Sequence, residues 1–531
     1  MRALFPPAQS RAEGPIHEEC RMYRLTLGDV LDQNSRTYPD KVATVCGEHR
    51  YTYRQLRERV DRLAGCLNKA GVGEGDRLLW LGQNCHRLLE LILAGARLGA
   101  MTCPVNWRQS VDELVFVIED LDPKVVLWQE DTLGDVSKEA RTKVGGAALW
   151  VQHDGDGEDG YERLLATNEP NSSFGDVDPA LPVVVMYTAA FGGRPNGSMI
   201  TQLGLLTQDA NLFYLAEITS EYVYLNCGPL FHIGSLMFTV ATFHIGGTNV
   251  FIARADPQHV MEVISRERCV SGFVLPPTIE KIVELNADGA HDLTSFRSPF
   301  PMPGWVDMVS PDTSAFFRGG YGQTEATGFN CFAGYGGKAG VSTAGRPSPW
   351  TRVYILDEDG REVPQGEVGE ITFDGPMVHA GYWNRPQINA ERTRSRGWRT
   401  NDLGLRDEDG IINFIGPKTQ MIKSGVENIY PAEVERCIEE LDAVKEAAII
   451  GVPDAQYVQS VKAIIVVEPG HTVTAEDVIA HCKARIASYK KPKFVEFLDA
   501  FPRLVTGGKD YALLDQKFGG GGYPGGGTRS Q

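Results

Sequence analysis

Residues 182–201, PVVVMYTAAFGGRPNGSMIT, constrain this chain more than any other stretch. Val183, Val184, Val185 and Met186 form an apolar run that predicts a short buried strand. Tyr187-Thr188 follows, then small residues, Gly192-Gly193, Pro195 and Gly197. A strand that feeds a glycine-bearing loop can bring backbone N–H groups up to a polyphosphate. Thr188, Gly192, Gly193 and Gly197 are therefore candidate contacts to a phosphate-bearing ligand. Taken alone, the loop reads equally well as a surface turn leaving a core strand.

At 531 residues the chain is longer than one core usually supports, so two or more domains are expected. A formal net charge of −17 argues against a general nucleic-acid or anionic-membrane surface, though a local site can still take an anion. The ten cysteines contain no CxxC pair, and Cys66, Cys103 and Cys437 lie in apolar stretches. That pattern predicts reduced, core-filling thiols in a cytoplasmic protein, without a disulfide framework or zinc site. The first 14 residues lack an apolar signal core, and residues 88–105 contain Glu90, Arg97 and Gly/Pro breaks, so no membrane span is expected.

Strand-like and helix-like segments alternate from residue 25 onward. Residues 42–45 read as a strand; Leu56, Val60, Leu63 and Leu67 mark a helix; residues 78–81 read as a strand and 88–98 as a helix. This alternation predicts an α/β domain with a largely parallel sheet. Beyond a turn at residues 407–410, Pro431 opens a helix striped with Val434, Ile438 and Leu441. Residues 447–452 and 461–467 read as strands, and Thr474 with Asp477 marks another helix start. The chain is expected to divide into a lead-in (1–24), a large α/β domain (25–415), a smaller α+β domain (416–517) and a Gly-rich tail (518–531).

Four further motifs stand in order along this frame: Gly228-Pro229-Leu230-Phe231-His232, Tyr321-Gly322-Gln323-Thr324-Glu325, Thr400-Asn401-Asp402 and Pro502-Arg503 through Lys509. With the glycine loop, with Thr52, Gly75-Asp76-Arg77 and Arg97-Leu98-Gly99-Ala100 near the amino terminus, and with Gly381-Tyr382-Trp383-Asn384-Arg385-Pro386, they span nearly the whole chain. In this order they resemble the adenylate-forming enzymes, the family of acyl-CoA synthetases, peptide-synthetase adenylation domains and luciferases. The resemblance implies a large α/β domain with a smaller, mobile carboxyl-terminal domain and a ligand cleft between them.

It also implies ATP-dependent activation of a carboxylic acid to acyl-AMP, with transfer to coenzyme A. Tyr321 would stack on the purine, with Gly322 and Gln323 beside it, and Thr324 would bond the α-phosphate. Glu325 would hold Mg²⁺, a hard cation that prefers oxygen. Asp402 would accept from the ribose hydroxyls, and His232 would stand between acyl pocket and nucleotide. Lys509 would bridge the acid and the α-phosphate in the first half-reaction. The small domain would then rotate and bring Ser424-Gly425 beside coenzyme A. A small-molecule carboxylic acid of hydrophobic or fatty type, ATP and CoA are the expected ligands, and the chain is compatible with a homodimer. The run of residues 233–240 reads either as the wall of a hydrophobic acid pocket or as plain core.

Five features depart from the family pattern. Ala189, Ala190, Phe191 and Gly192 replace hydroxyl-bearing loop residues, and Asn196 replaces a lysine. Residues 298–304, rich in proline, replace an adenine-contacting turn; Pro417 replaces an arginine; and Lys509 arrives one residue late. They keep two other readings open: an adenylate-fold protein that binds without turnover, and an enzyme that loads an external carrier protein. If the loop faces the triphosphate, Asn196→Lys should tighten ATP binding.

Overall fold

The computed structural model describes residues 24–146, 148–155, 157, 160–171, 175–188, 194–336, 344–417, 422–425, 427–429, 431–503 and 509–519. Gly192, Gly193 and the rest of the loop tip, residues 418–421, residues 504–508, the lead-in and the tail beyond Gly519 lie outside the described residues.

Local signals start the elements. Thr52 caps the helix Tyr53–Lys69 through a reciprocal pair with Gln55, and Leu56, Val60, Leu63 and Leu67 are all buried on it. The strand Arg77–Leu81 leads into the helix His86–Leu98, which ends at Gly99 in the left-handed region, where glycine meets no side-chain clash. Repetition of this unit builds two sheets. One runs Leu149–Gln152, Val125–Trp128, Arg77–Leu81, Met101–Pro104, Pro182–Thr188, Asn196–Thr201, parallel except for its last pair. The other runs Ser271–Gly272, Val223–Asn226, Thr248–Phe251, Val42–Cys46, His49–Thr52, again parallel except at one edge.

One apolar core joins them, with Leu78, Trp80 and Val184 from the first sheet, Ala43, Tyr224 and Phe251 from the second, and helices between. Residues 233–240 belong to it. They form most of the helix Ile233–His244, on which Phe238 stacks on Tyr224 at 5.3 Å and meets Phe316 edge-on at 5.1 Å. That run is core, which removes its support for a hydrophobic pocket.

A third, antiparallel sheet carries the remaining large-domain motifs in the order Gly320–Gln323, Gly328–Phe332, Ala344–Pro347, Ile412–Pro417, Trp398–Arg406, Gly369–Asp374, Arg352–Leu356. Its strand Ile412–Pro417 extends two residues past position 415. The smaller body has its own sheet, centred on Val444–Asp454 and Val458–Val467. Val434, Ile438, Val478 and Cys482, from the helices Pro431–Glu439 and Ala475–Arg485, cover one face of it; Leu514, from Tyr511–Phe518, lies on the other. Among the described residues nine cysteines are free and all but Cys46 are buried, as expected of core thiols. No helix among the described residues is long and apolar enough to cross a membrane.

Candidate active site

The strands Pro182–Thr188 and Asn196–Thr201 pair antiparallel with Thr188 opposite Asn196, so the glycine loop is the tip of a hairpin. Thr188 Oγ1 donates to Glu325 Oε1 at 2.8 Å, and the Tyr382 hydroxyl donates to the same oxygen at 2.8 Å. Glu325 is only 6 % exposed and sits in a single turn, Thr324–Ala326. The His379 N–H donates to the Glu325 carbonyl at 2.9 Å, and Thr327 Oγ1 donates to the Met377 carbonyl at 2.6 Å. Hairpin, turn and residues 377–382 thus converge on one carboxylate. No group of three His, Cys, Asp or Glu side chains that could cage a metal exists among the described residues. A carboxylate with a hydroxyl beside it fits Mg²⁺, which keeps waters and takes few protein ligands when phosphates supply the rest.

The Asn196 side chain is already engaged within the protein. It is 7 % exposed, and its Oδ1 accepts from Arg385 Nε at 3.0 Å. Arg385 in turn pairs with Asp120 at 2.8 Å, and Asp120 also accepts from the Tyr187 hydroxyl at 2.8 Å. This corrects the expectation that position 196 looks toward the triphosphate: the half-buried Arg385 guanidinium claims its side chain. Gly197 likewise lies within the sheet. Its carbonyl accepts from the Trp383 N–H at 2.7 Å, and a Cβ there would meet Val185 Cγ1 at 2.8 Å, so packing requires the glycine.

Tyr321 stands on the neighbouring strand, 7 % exposed, its ring stacked on Phe414 at 5.2 Å and tilted against Phe373 at 5.7 Å. The expected purine platform is thus packed into the sheet's own apolar cluster. Its hydroxyl instead donates to Asp402 Oδ2 at 2.8 Å. Burial pushes the Asp402 carboxyl up to about 6, against the opposing effect of that hydrogen bond. Asn401 has φ +65°, a region asparagine tolerates better than most residues. Gly322 is obligatory, because a Cβ would lie 2.0 Å from the Gly328 carbonyl oxygen. Gln323 and Thr324 are half-buried at the strand end beside Glu325.

The smaller body reaches the large one through the hairpin that carries Ser424-Gly425. Gly425 has φ +62° and donates its N–H to the Tyr457 carbonyl at 2.6 Å. Two residues on, Glu427 Oε2 lies 3.2 Å from His232 Nε2, and Glu427 also pairs with Arg108. Burial would raise the Glu427 carboxyl, but the His232 hydrogen bond and the His232 and Arg108 charges outweigh it and hold it low. A carboxylate only accepts, so the shared proton is assigned to His232 Nε2. A second crossing lies at Lys490, 5 % exposed between Glu433 of its own body at 2.6 Å and Glu113 of the large one at 2.9 Å.

Lys509 is not in this constellation. It bonds the Ala447 carbonyl, lies 3.3 Å from Glu439, and rests over the Phe501 ring, all within the smaller body. Arg503 bridges to Lys509, so the extra residue before the lysine falls in a loop outside the described residues. Tyr382, Glu427 and Arg108 carry no role in the sequence reading. Tyr382 lies in a motif quoted there and Glu427 two residues beyond Ser424-Gly425, while Arg108 has no local signal.

Comparison with known proteins bears on the family and the fold. The family described as AMP-binding enzyme matches residues 31–383, and the AMP-binding enzyme C-terminal domain matches residues 433–508. A feruloyl-CoA synthase of Amycolatopsis sp is 33 % identical over 493 residues, covering 91 % of this chain and 96 % of that protein. An indoleacetate–CoA ligase of Aromatoleum aromaticum is 31 % identical over 504 residues, with 91 % and 96 % covered. Among solved structures, a Mycobacterium tuberculosis fatty acyl CoA synthetase aligns with TM-score 0.65 at 26 % identity, covering 93 % of this chain and 98 % of that one. With its two-body architecture and with family matches across both bodies, the chain belongs to the AMP-binding, adenylate-forming enzymes.

Proposed function

We propose that this protein is an AMP-forming carboxylic acid–CoA ligase. The observation that carries the reading is the convergence of Thr188 and Tyr382 on Glu325, at the root of the glycine loop. In the first step a carboxylate oxygen of the acid attacks the α-phosphorus of ATP, and pyrophosphate leaves with the bonding electrons. Both reactants are anionic, so the site must hold them in line and offset their charge. Mg²⁺ held by Glu325 would supply part of that charge. Thr324 and the loop backbone would orient the α-phosphate, and Asp402 would fix the ribose. In the second step the CoA sulfur attacks the acyl carbon, AMP leaves, and the thiol proton is lost.

The arrangement of the two bodies supports assigning it to the second step. Glu427 is engaged with His232, while Lys509 is satisfied by Glu439 and Ala447. For the first step the smaller body, which we take to begin near residue 416, would turn and deliver Lys509. Phe273, 37 % exposed beside Gly228, favours a hydrophobic acid, aryl or fatty. The relatives act on acids of both kinds by name.

The test is pyrophosphate release with a panel of aryl and fatty acids, with and without CoA. Release that depends on the acid, with CoA thioester formed, is expected. Release without thioester would point to loading of a carrier protein. No release with any acid would point to an adenylate-fold binding protein.

A further inference from the structure

The turn that presents His232 follows the strand Val223–Asn226 and must leave its sheet with its backbone groups satisfied. Pro229 contributes no N–H to that task. One side chain from elsewhere in the fold supplies the missing partners. Asn84 Nδ2 donates to the Gly228 carbonyl at 2.7 Å and to the Asn226 carbonyl at 3.3 Å. Its Oδ1 accepts from the Leu230 N–H at 3.4 Å. Asn84 is 9 % exposed and stands just past the first sheet's strand Arg77–Leu81. Its neighbour Gln83 is itself fastened: the Gln83 N–H donates to Gln129 Oε1 at 2.9 Å, and Gln83 Oε1 accepts from Thr132 Oγ1 at 3.1 Å. The turn cannot shift freely on its other side, because a Cβ at Gly228 would meet Ser235 Oγ at 2.5 Å and Phe273 Cβ at 2.7 Å.

We infer that Asn84 is a positioning residue for His232. It clamps the turn of the second sheet onto the end of the first, so that the imidazole meets Glu427 of the smaller body. The inference rests on the proposed ligase reading for its kinetic consequence and on geometry alone for its structural one. An amide suits the position because it offers two donors and an acceptor from one planar group. Alanine removes all three partners, while serine keeps a small polar group as a gentler change.

The experiment combines Asn84→Ala and Asn84→Ser with His232→Ala. In the wild-type background, loss of Asn84 should slow CoA-dependent consumption of supplied acyl-AMP by about tenfold, the scale of one net hydrogen bond. In the His232→Ala background the same change should add less than about twofold, because the two act as one unit. Equal losses in both backgrounds would overturn the inference and leave Asn84 as general support for the fold. The second readout needs no turnover: the rate at which diethyl pyrocarbonate modifies His232, read by peptide mass. It should rise several-fold in both Asn84 variants as the ring leaves Glu427. An unchanged rate overturns the inference. A wild type that releases no pyrophosphate with any acid overturns the ligase reading instead, and the modification rates still decide the role of Asn84.

Discussion

Asn196→Lys separates the structure from the family pattern most sharply. The pattern says that a lysine here should help bind ATP. The structure says that it would enter a filled site. Asn196 is 7 % exposed and accepts a hydrogen bond from Arg385, so the substitution removes an acceptor from a charged donor, a loss of about 1.5–3 kcal/mol. It also brings an ammonium toward a guanidinium. At about 4 Å and an effective dielectric near 20 the two repel by about 4 kcal/mol. Lysine can relieve this by turning its ammonium outward, so the expected destabilisation lies between about 2 and 5 kcal/mol. Thermal unfolding should show a midpoint lowered by several degrees, and the apparent ATP constant should not fall. Asn196→Ala, which loses only the acceptor, should lie between the variant and wild type in stability. An unchanged midpoint with an ATP constant lowered about tenfold would refute the reasoning, since it would mean that side chain 196 reaches the triphosphate.

Glu325→Gln should cut acid-dependent pyrophosphate release by at least about a hundredfold with the thermal midpoint little changed, because glutamine still accepts from Thr188 and Tyr382 but carries no charge for Mg²⁺; normal release would sink the assignment. Lys509→Ala should slow acyl-AMP formation by about a hundredfold or more, yet leave consumption of supplied acyl-AMP with CoA nearly unchanged; equal loss in both steps would mean damage to the smaller body. His153 is 3 % exposed, stacked on Trp80 at 4.1 Å, and burial holds its imidazole down to about 3. The unfolded chain takes up that proton near pH 6.5 and the folded one does not, so wild-type stability falls as pH drops below about 6.5. His153→Leu removes this linkage: its stability relative to wild type, measured by urea unfolding, should improve by about 2 kcal/mol between pH 8 and pH 5, and no pH-dependent change would refute the linkage.

What could be read in the sequence divides along the range of the interactions. The helix Tyr53–Lys69 was legible because its cap, Thr52 with Gln55, and its stripe of leucines are local. The asparagine before Asp402 makes sense once its φ of +65° is known. The direction of the Asn196 side chain was not legible, because Arg385, 189 residues away, decides it. Nor was the meeting of His232 and Glu427, 195 residues apart. Tyr321 shows a third kind of limit. Its motif was clear, but whether its ring offers a face to a ligand depends on Phe414 and Phe373, which no spacing rule connects to it.

The crossing at Lys490 has a property suited to a joint that opens and closes. Separating a buried ion pair usually costs about 3–5 kcal/mol, chiefly because each charge is left stranded. Here neither would be. Glu113 also caps its own helix, accepting through Oε2 from the Ser110 N–H at 2.9 Å and the Ser110 hydroxyl at 3.1 Å. Lys490 keeps Glu433 on its own body. Each side therefore keeps a hydrogen-bonding partner of its own when the other is absent. Such a fastening can hold one pose and let it go with both charged groups still hydrogen-bonded on their own sides.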